Sequence, residues 1–501
     1  MKFQVTTIFV TSLITIVISQ WDPHFIGNRQ GIVHLFEWKW LDIADECETF
    51  LGPNNFGGVQ TSVANENVII SGRPWYERYQ PMSFKLETRS GNEKEFREMV
   101  VRCRNAGIRI YVDVVVNHMA ASQPSTPAIG TAGSEAYPSD RWYPAVPFNK
   151  SDFNTACSIE NYNDPKQVRD CELAGLPDLD QGRKDVRDKI IEYLNHLIDL
   201  GVAGYRMDAC KHMWPKDLRV IYSRVKPLSK QNGFVQGSRP FFFQEVIDLG
   251  NEAVKRQEYI SLGTVTEFTY STQIGMVFRK IERDLSALKN WGPPSGFLPS
   301  RYSFVFVCNH DNQRGHGSGG DMILTYKDKD LFIKASAFML AHPHGGNHPR
   351  LMSSFYFDDP SQGPPQNSNG DIISREIESN GTCSNGWVCE HRWPEIVKMV
   401  KFRAITDKTV VIGFTNIAKN QISFCRGRKG FVAINNSDQP LSATVNACLP
   451  NGVYCDVISG DKVDGKCTGT SVNVRAGKAH IEIPSSSFGF LAIHLESRLS
   501  K

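Results

Sequence analysis

IRIYVDVVVNH (108–118) is almost continuously β-branched and apolar, then turns polar over its last two residues. A parallel strand covered on both faces reads this way. Three other stretches repeat the change: GYRMDACKH (204–212), FFQEV (242–246) and FVCNHDNQR (306–314). Strands do this when they leave a packed barrel interior and open onto a site at their C-terminal ends. Side chains alternate along a strand, so Arg206 and Asp208 share a face, as do Asn309 and Asp311, and Asp113, Val115 and Asn117. Three carboxylates, Asp208, Glu245 and Asp311, are thereby expected to converge from three different strands.

Working outward, strand and helix signals alternate from about residue 30 to 405. IVHLF (32–36), GGVQTS (57–62), TVTEFTY (264–270), SFVFVC (303–308) and RLMSSFYF (350–357) read as further strands. WLDIADECETFL (40–51), EKEFREMVVRCRNAG (93–107), KDLFIKASAFMLA (329–341) and WPEIVKMVKFRAI (393–405) read as helices. The clearest helix is 184–200, where Val186, Ile190, Tyr193, Leu194, Leu197 and Ile198 form one stripe and Gly201 stops it. About eight strand–helix units predict an α/β fold, a (β/α)8 TIM barrel. Residues 118–183 break the alternation with Pro, Gly, Ser, Asn and Asp, which predicts an irregular, β-rich domain inserted after strand 3. From about 409 onward, short alternating runs predict a C-terminal antiparallel β-sandwich. The expected domains are 20–117 with 184–408, then 118–183, then 409–501.

Residues 1–19 read as a secretory signal, with Lys2, an apolar run from Thr7 to Ile18, and small Val17 and Ser19 before Gln20. Nothing later in the sequence resembles a membrane span. Net charge is +3 with the charges interspersed, which argues against nucleic acid as a partner. Twelve cysteines in a secreted chain predict disulfides. Cys157/Cys171, Cys383/Cys389 and Cys455/Cys467 are close enough for local bridges, although connectivity is not fixed by sequence. Asn149, Asn380 and Asn435 lie in glycosylation triplets.

The four polar strand ends, their order, the insertion and the terminal β-domain resemble the α-amylase family of glycoside hydrolases. HLFEWKW, GVAGYRMDACKHMWP, FQEVIDLG and NHDNQRGHG are similar to its animal, chloride-dependent branch. The resemblance spans Gln20 to Lys501. It implies a secreted, digestive, monomeric enzyme that cuts internal α-1,4 bonds of starch and glycogen and is open to proteinaceous inhibitors. Retaining cleavage needs a carboxylate nucleophile and a carboxylic acid close together. By resemblance Asp208 is the nucleophile, kept ionised by Arg206, and Asp311 stabilises the transition state. Glu245 is the acid/base, and its apolar strand FFFQ favours a neutral acid. His118 and His310 would bond sugar hydroxyls, with Gln80, Arg206, Lys211 and His212 beside them. Trp75, Tyr76 and Tyr79 would stack on sugar rings, Tyr76 standing where the animal branch commonly has tryptophan. RGHGSGG (314–320) would carry His316 over the cleft.

The resemblance also implies two ions. Calcium would take the side chains of Asn117 and Asp178 and the backbone oxygens of Arg169 and His212. Chloride would sit against Arg206, Asn309 and Arg350, tuning the acid beside it. The segment before Arg350, HPHGGNHPR, is longer than the family pattern and carries a Pro. The family pattern also joins Cys47 to Cys103, and the extra pair Cys425 and Cys448 is expected to bridge. Cys210 and Cys308 remain as buried thiols, with a bridge between them as the alternative. Other readings are an exo-acting glucosidase or glucanotransferase on the same barrel, and a silent glycan-binding homologue. The silent homologue would be marked by loss of a triad carboxylate, and none is lost.

Overall fold

The computed structural model describes Gln20–Leu499. The predicted signal segment lies outside these residues. Eight parallel strands form one sheet: β1 (Gln30–Leu35), β2 (Phe56–Val63), β3 (Arg109–Val114), β4 (Gly204–Met207), β5 (Phe241–Gln244), β6 (Thr264–Thr266), β7 (Ser303–Phe304) and β8 (Arg350–Ser353). Their spatial order runs β7-β6-β5-β4-β3-β2-β1-β8. A Phe306–Arg350 bridge and an Arg350 N–H bond of 2.9 Å to the Val305 carbonyl close the ring. The strands are buried along their full lengths, which is why their sequences are apolar runs rather than alternations.

Helices cover the outside: α1 (Trp40–Glu46), α2 (Glu93–Asn105), α3 (Pro165–Asp170, within the insertion), α4 (Lys184–Leu200), α5 (Pro215–Arg224), α6 (Phe268–Arg279), α7 (Asp330–Ala341) and α8 (Pro394–Ile405). Gly201, at φ 105°, ends α4 in the left-handed conformation that glycine adopts without strain. Two expectations need correction. TVTEFTY is not one strand: pairing stops at Thr266, and Phe268 opens α6. The unit after β5 has only a 3-10 turn at Arg256–Glu258 among the described residues, so the ring of α-helices is incomplete there.

The insertion pairs sparsely, through the short ladder 128–129 with 135–136 and through isolated bridges such as His118–Asp178. The bridge Cys157–Cys171 and buried Tyr143, Phe148 and Phe153 hold it together. The terminal domain stacks two antiparallel sheets. One contains β9 (Val411–Ala418), β10 (Gln421–Arg426), β11 (Gly430–Asn435) and β16 (Phe490–His494). The other contains β12 (Leu441–Asn446), β13 (Gly452–Cys455), β14 (Ser471–Arg475) and β15 (Lys478–Ile483). Phe431, Leu441, Ile481 and Ile493 fill the space between them, whereas Ile422, Phe424, Val432 and Phe490 join the barrel core.

Five disulfides form, at Cys47–Cys103, Cys157–Cys171, Cys383–Cys389, Cys425–Cys448 and Cys455–Cys467. Cys210 and Cys308 are buried free thiols. No helix among the described residues is long and apolar enough to cross a membrane.

Candidate active site

Asp208 and Glu245 are the first residues past β4 and β5, yet the ladder still pins them. The Asp208 N–H donates to the Val114 carbonyl and the Glu245 N–H to the Met207 carbonyl, both at 2.9 Å. Ala209 then enters the left-handed region at φ 48°, turning the chain out of the barrel. Its N–H donates to Glu245 Oε2 at 3.0 Å, so the turn after one carboxylate positions the other.

Arg206 lies beneath the cleft, 1% exposed, rather than on its wall. Its Nη1 donates to Asp113 at 2.8 Å and to Asp208, while Nη2 donates to Glu245. Asp113 also accepts from the Tyr79 hydroxyl at 2.9 Å. Asp311 stands on a turn locked by reciprocal bonds: Asn312 N–H to Asn309 Oδ1 at 2.7 Å, and Asn309 N–H to Asn312 Oδ1 at 2.8 Å. Sequence reading missed Asn312 and gave Asp113 no role.

Arg206 sits at the centre of the cluster, with Arg314 and Arg350 farther out. Burial raises Asp208 well above the usual carboxylate range, with Glu245, Asp113 and Asp311 adding to it against the pull of Arg206. Arg206 is the group that favours the ionised form of Asp208 against that burial. Burial, then Glu245, push Asp311 up to about 7. Burial lowers His118 to about 4 and His212 to about 3, so both are neutral near pH 7.

These residues surround a cleft of about 760 Å³. Trp75, Tyr76, Tyr79, Gln80, His118, Lys211, His212, His310 and His316 all line it with the three carboxylates. Tyr79 stacks on His310 with centroids 5.0 Å apart. Tyr76 is the more open ring of the platform, while Trp75 donates its indole N–H to the Pro360 carbonyl at 2.8 Å. Both His118 nitrogens are engaged, Nδ1 with Asn117 Nδ2 at 3.2 Å and Nε2 with the Tyr79 carbonyl at 3.0 Å. The insertion contributes Tyr162, Leu173 and Leu176, and Glu252 pairs with Lys211. Sequence reading missed these four, which carry no local signal beyond residue type.

Two groups of the buried polar atoms without partners lie where ions are expected. Asn117 Oδ1 and Asp178 Oδ1 are buried acceptors without donors, on residues joined through the His118–Asp178 bridge. Arg169 lies in the last turn of α3, where carbonyls have no helical partner, and α3 packs against the 3-10 turn Cys210–His212. No cluster of three His, Cys, Asp or Glu suited to a metal occurs among the described residues. The unpartnered amide oxygen of Asn117 and carboxylate oxygen of Asp178 are hard oxygens, the donor type calcium takes. Arg206 Nε, Arg350 Nε and Arg350 Nη2 are buried donors without acceptors, which fits an anion. Arg350 occupies β8 in register with Ile32 despite the longer segment before it, and burial and Arg206 lower it to about 10. Asn309 is mainly committed to its turn, with Nδ2 3.4 Å from Asp311.

Paired carboxylates beneath an aromatic wall at the C-terminal end of a (β/α)8 barrel suit a glycoside hydrolase. Comparison with known proteins specifies which kind. Residues 79–284 match the α-amylase catalytic-domain model and 412–496 the α-amylase C-terminal all-β-domain model. The chain is 53% identical to the α-amylase-related proteins of Drosophila simulans and Drosophila melanogaster, over 96% of this chain and 97% of each relative. It matches α-amylase I of the earthworm Eisenia fetida with TM-score 0.89 and 41% identity, covering 94% of this chain and 98% of that one. A mutant of that enzyme, in complex with maltohexaose, matches equally well, at 40% identity over the same shares of both chains. This chain belongs to the α-amylase family.

Proposed function

We propose that this protein is a secreted α-amylase that cuts internal α-1,4-glucosidic bonds of starch and glycogen with retention. One observation carries the reading: a single guanidinium holds Asp208 and Glu245 side by side beneath an aromatic-walled cleft. That juxtaposition suits a nucleophile and an acid acting on one bond. Asp208 attacks the anomeric carbon while Glu245 gives its proton to the departing glycosidic oxygen. Glu245 then deprotonates the water that releases the sugar from Asp208. The buried carboxylates complement the cation-like transition state, and Asp311 adds to that field. Maltohexaose binding by the earthworm enzyme supports a glucan as substrate.

Asn117 and Asp178, with the backbone oxygens of Arg169 and His212, would hold calcium, whose chemistry here is to tie the insertion to the barrel. Arg206 and Arg350, beside Asn309, would hold chloride, which supplies negative charge between two guanidiniums. Five disulfides and the signal-like N-terminus support secretion.

The test is the initial rate of soluble-starch cleavage in calcium buffer, titrated with chloride. A saturable rise that Arg350→Gln abolishes is expected, and Asp208→Asn should lose at least ~10⁴-fold in kcat. Undiminished turnover in Asp208→Asn would overturn the mechanism. A wild-type rate indifferent to chloride would remove the anion from it. Glucose alone as product would replace the endo-acting reading with an exo-acting one.

A further inference from the structure

His34 is a buried histidine that the proposed mechanism does not use. It sits on β1, paired with Gln60 of β2 and Met352 of β8, on the strand face that also carries Ile32. It is fully buried, and neither ring nitrogen has a partner. Its ring meets that of His310 edge-on, with centroids 5.4 Å apart and planes at 89°.

His310 shows the complementary need. Its Nε2 lies 3.3 Å from Asp311 Oδ2, and when Asp311 is ionised that nitrogen carries the proton. Nδ1 is then a lone-pair acceptor, and it too is buried without a partner. Three other rings pack around His310: Phe36, Trp75 and Tyr79. Phe36 has no polar atom, the Trp75 N–H is given to Pro360, and the Tyr79 hydroxyl to Asp113. Among these ring neighbours His34 is the one whose ring N–H is not already given away, and its ring edge meets that of His310. On its other side His34 needs a donor. Gln60 Nε2, Arg350 Nε and Arg350 Nη2 are buried donors without acceptors. Arg350, Arg206 and Arg314 all face His34, and with burial they keep its imidazole neutral, one nitrogen donating and one accepting.

We infer that His34 is a positioning residue that holds His310 in the tautomer with its proton on Nε2, toward Asp311 and the cleft. In this proposal unpartnered groups of Gln60 and Arg350 lie on one side of His34 and unpartnered Nδ1 of His310 on the other. His34 thereby links the two-arginine anion pocket to a residue on the cleft wall. The catalytic readout rests on the α-amylase reading, whereas the tautomer readout does not.

The experiment compares wild type, His34→Phe and His34→Gln. Ring ¹⁵N spectra are recorded of histidine-labelled protein, with His310 assigned by loss of its signal in His310→Asn. The spectra are paired with kcat, KM and pH profiles on a soluble maltooligosaccharide. His34→Phe is expected to show His310 as a mixture of tautomers and to lose about 10–100-fold in kcat, with KM changed less than about twofold. His34→Gln keeps a donor and an acceptor and should restore much of the loss. A wild-type His310 signature in folded His34→Phe overturns the inference, as does a rate that falls only with the folded fraction. If His34→Phe does not fold, His34→Asn, which is too short to bridge, gives the same readout. If the wild type cleaves no glucan, the function reading falls while the spectra still decide the role of His34.

Discussion

Arg206 donates to Asp113, Asp208 and Glu245 together, so its removal leaves three buried carboxylates without the guanidinium they share. Arg206→Gln should abolish turnover and lower stability by about 3–5 kcal/mol, read by urea unfolding. Asp311 makes a pH prediction with a definite sign. Its proton leaves the unfolded chain near 3.8 but the folded chain near 7, so between those values the native state binds more protons. Stability contributed at this site falls as pH rises through that window. Asp311→Asn should therefore be more stable relative to wild type at pH 8 than at pH 5, a difference visible in Tm. The same ionisation should appear near 7 in the kcat/KM profile and vanish in Asp311→Asn. Much of this site was legible in sequence because its carboxylates end apolar strands. Asp113 was not, since its role is to share Arg206, and a partner more than 90 residues away leaves no local trace. Nor was the commitment of both His118 nitrogens, which depends on where Tyr79 and Asn117 lie.

Strands β4 and β5 carry Asp208 and Glu245, and Gly204 lets them approach. A Cβ there would lie 2.1 Å from the Phe241 carbonyl oxygen, backbone that cannot step aside. Gly204→Ala should cost about 1–3 kcal/mol, and turnover should suffer more than stability because the strands carrying the two carboxylates move apart. Denaturant unfolding and kcat on the same preparations separate the two effects. Element type followed the sequence where periodicity was long, as in α4, whose predicted bounds of 184–200 are those observed. It failed at TVTEFTY, where β-branched and aromatic residues favour a strand but the chain must turn at the barrel rim after Thr266. The missing helix after β5 was equally hidden, because the short turn Arg256–Glu258 suffices to reach β6.

At the scale of the molecule, the insertion is weakly paired and depends on its seam with the barrel at Asn117, Asp178 and the α3 end. The proposed calcium site predicts that chelation lowers Tm by several degrees and exposes residues 118–183 to proteases first, seen by mass spectrometry of early cuts. The β-sandwich limits modification. Asn435 is buried in β11 with its amide bonded to Gln439 and Ile483, whereas Asn149 and Asn380 are exposed. Material from a eukaryotic secretory host should carry glycans at those two positions and none at Asn435. The eight barrel strands are not joined equally. Extended ladders bind the first strands to one another, but β7 has a two-residue ladder with β6 and meets β8 through one bridge. A hoop fails at its thinnest stave. Amide protons of residues 303–308 and 350–353 should therefore exchange with deuterium sooner than those of β1 to β3, and the ring should open first along the line beside Arg350.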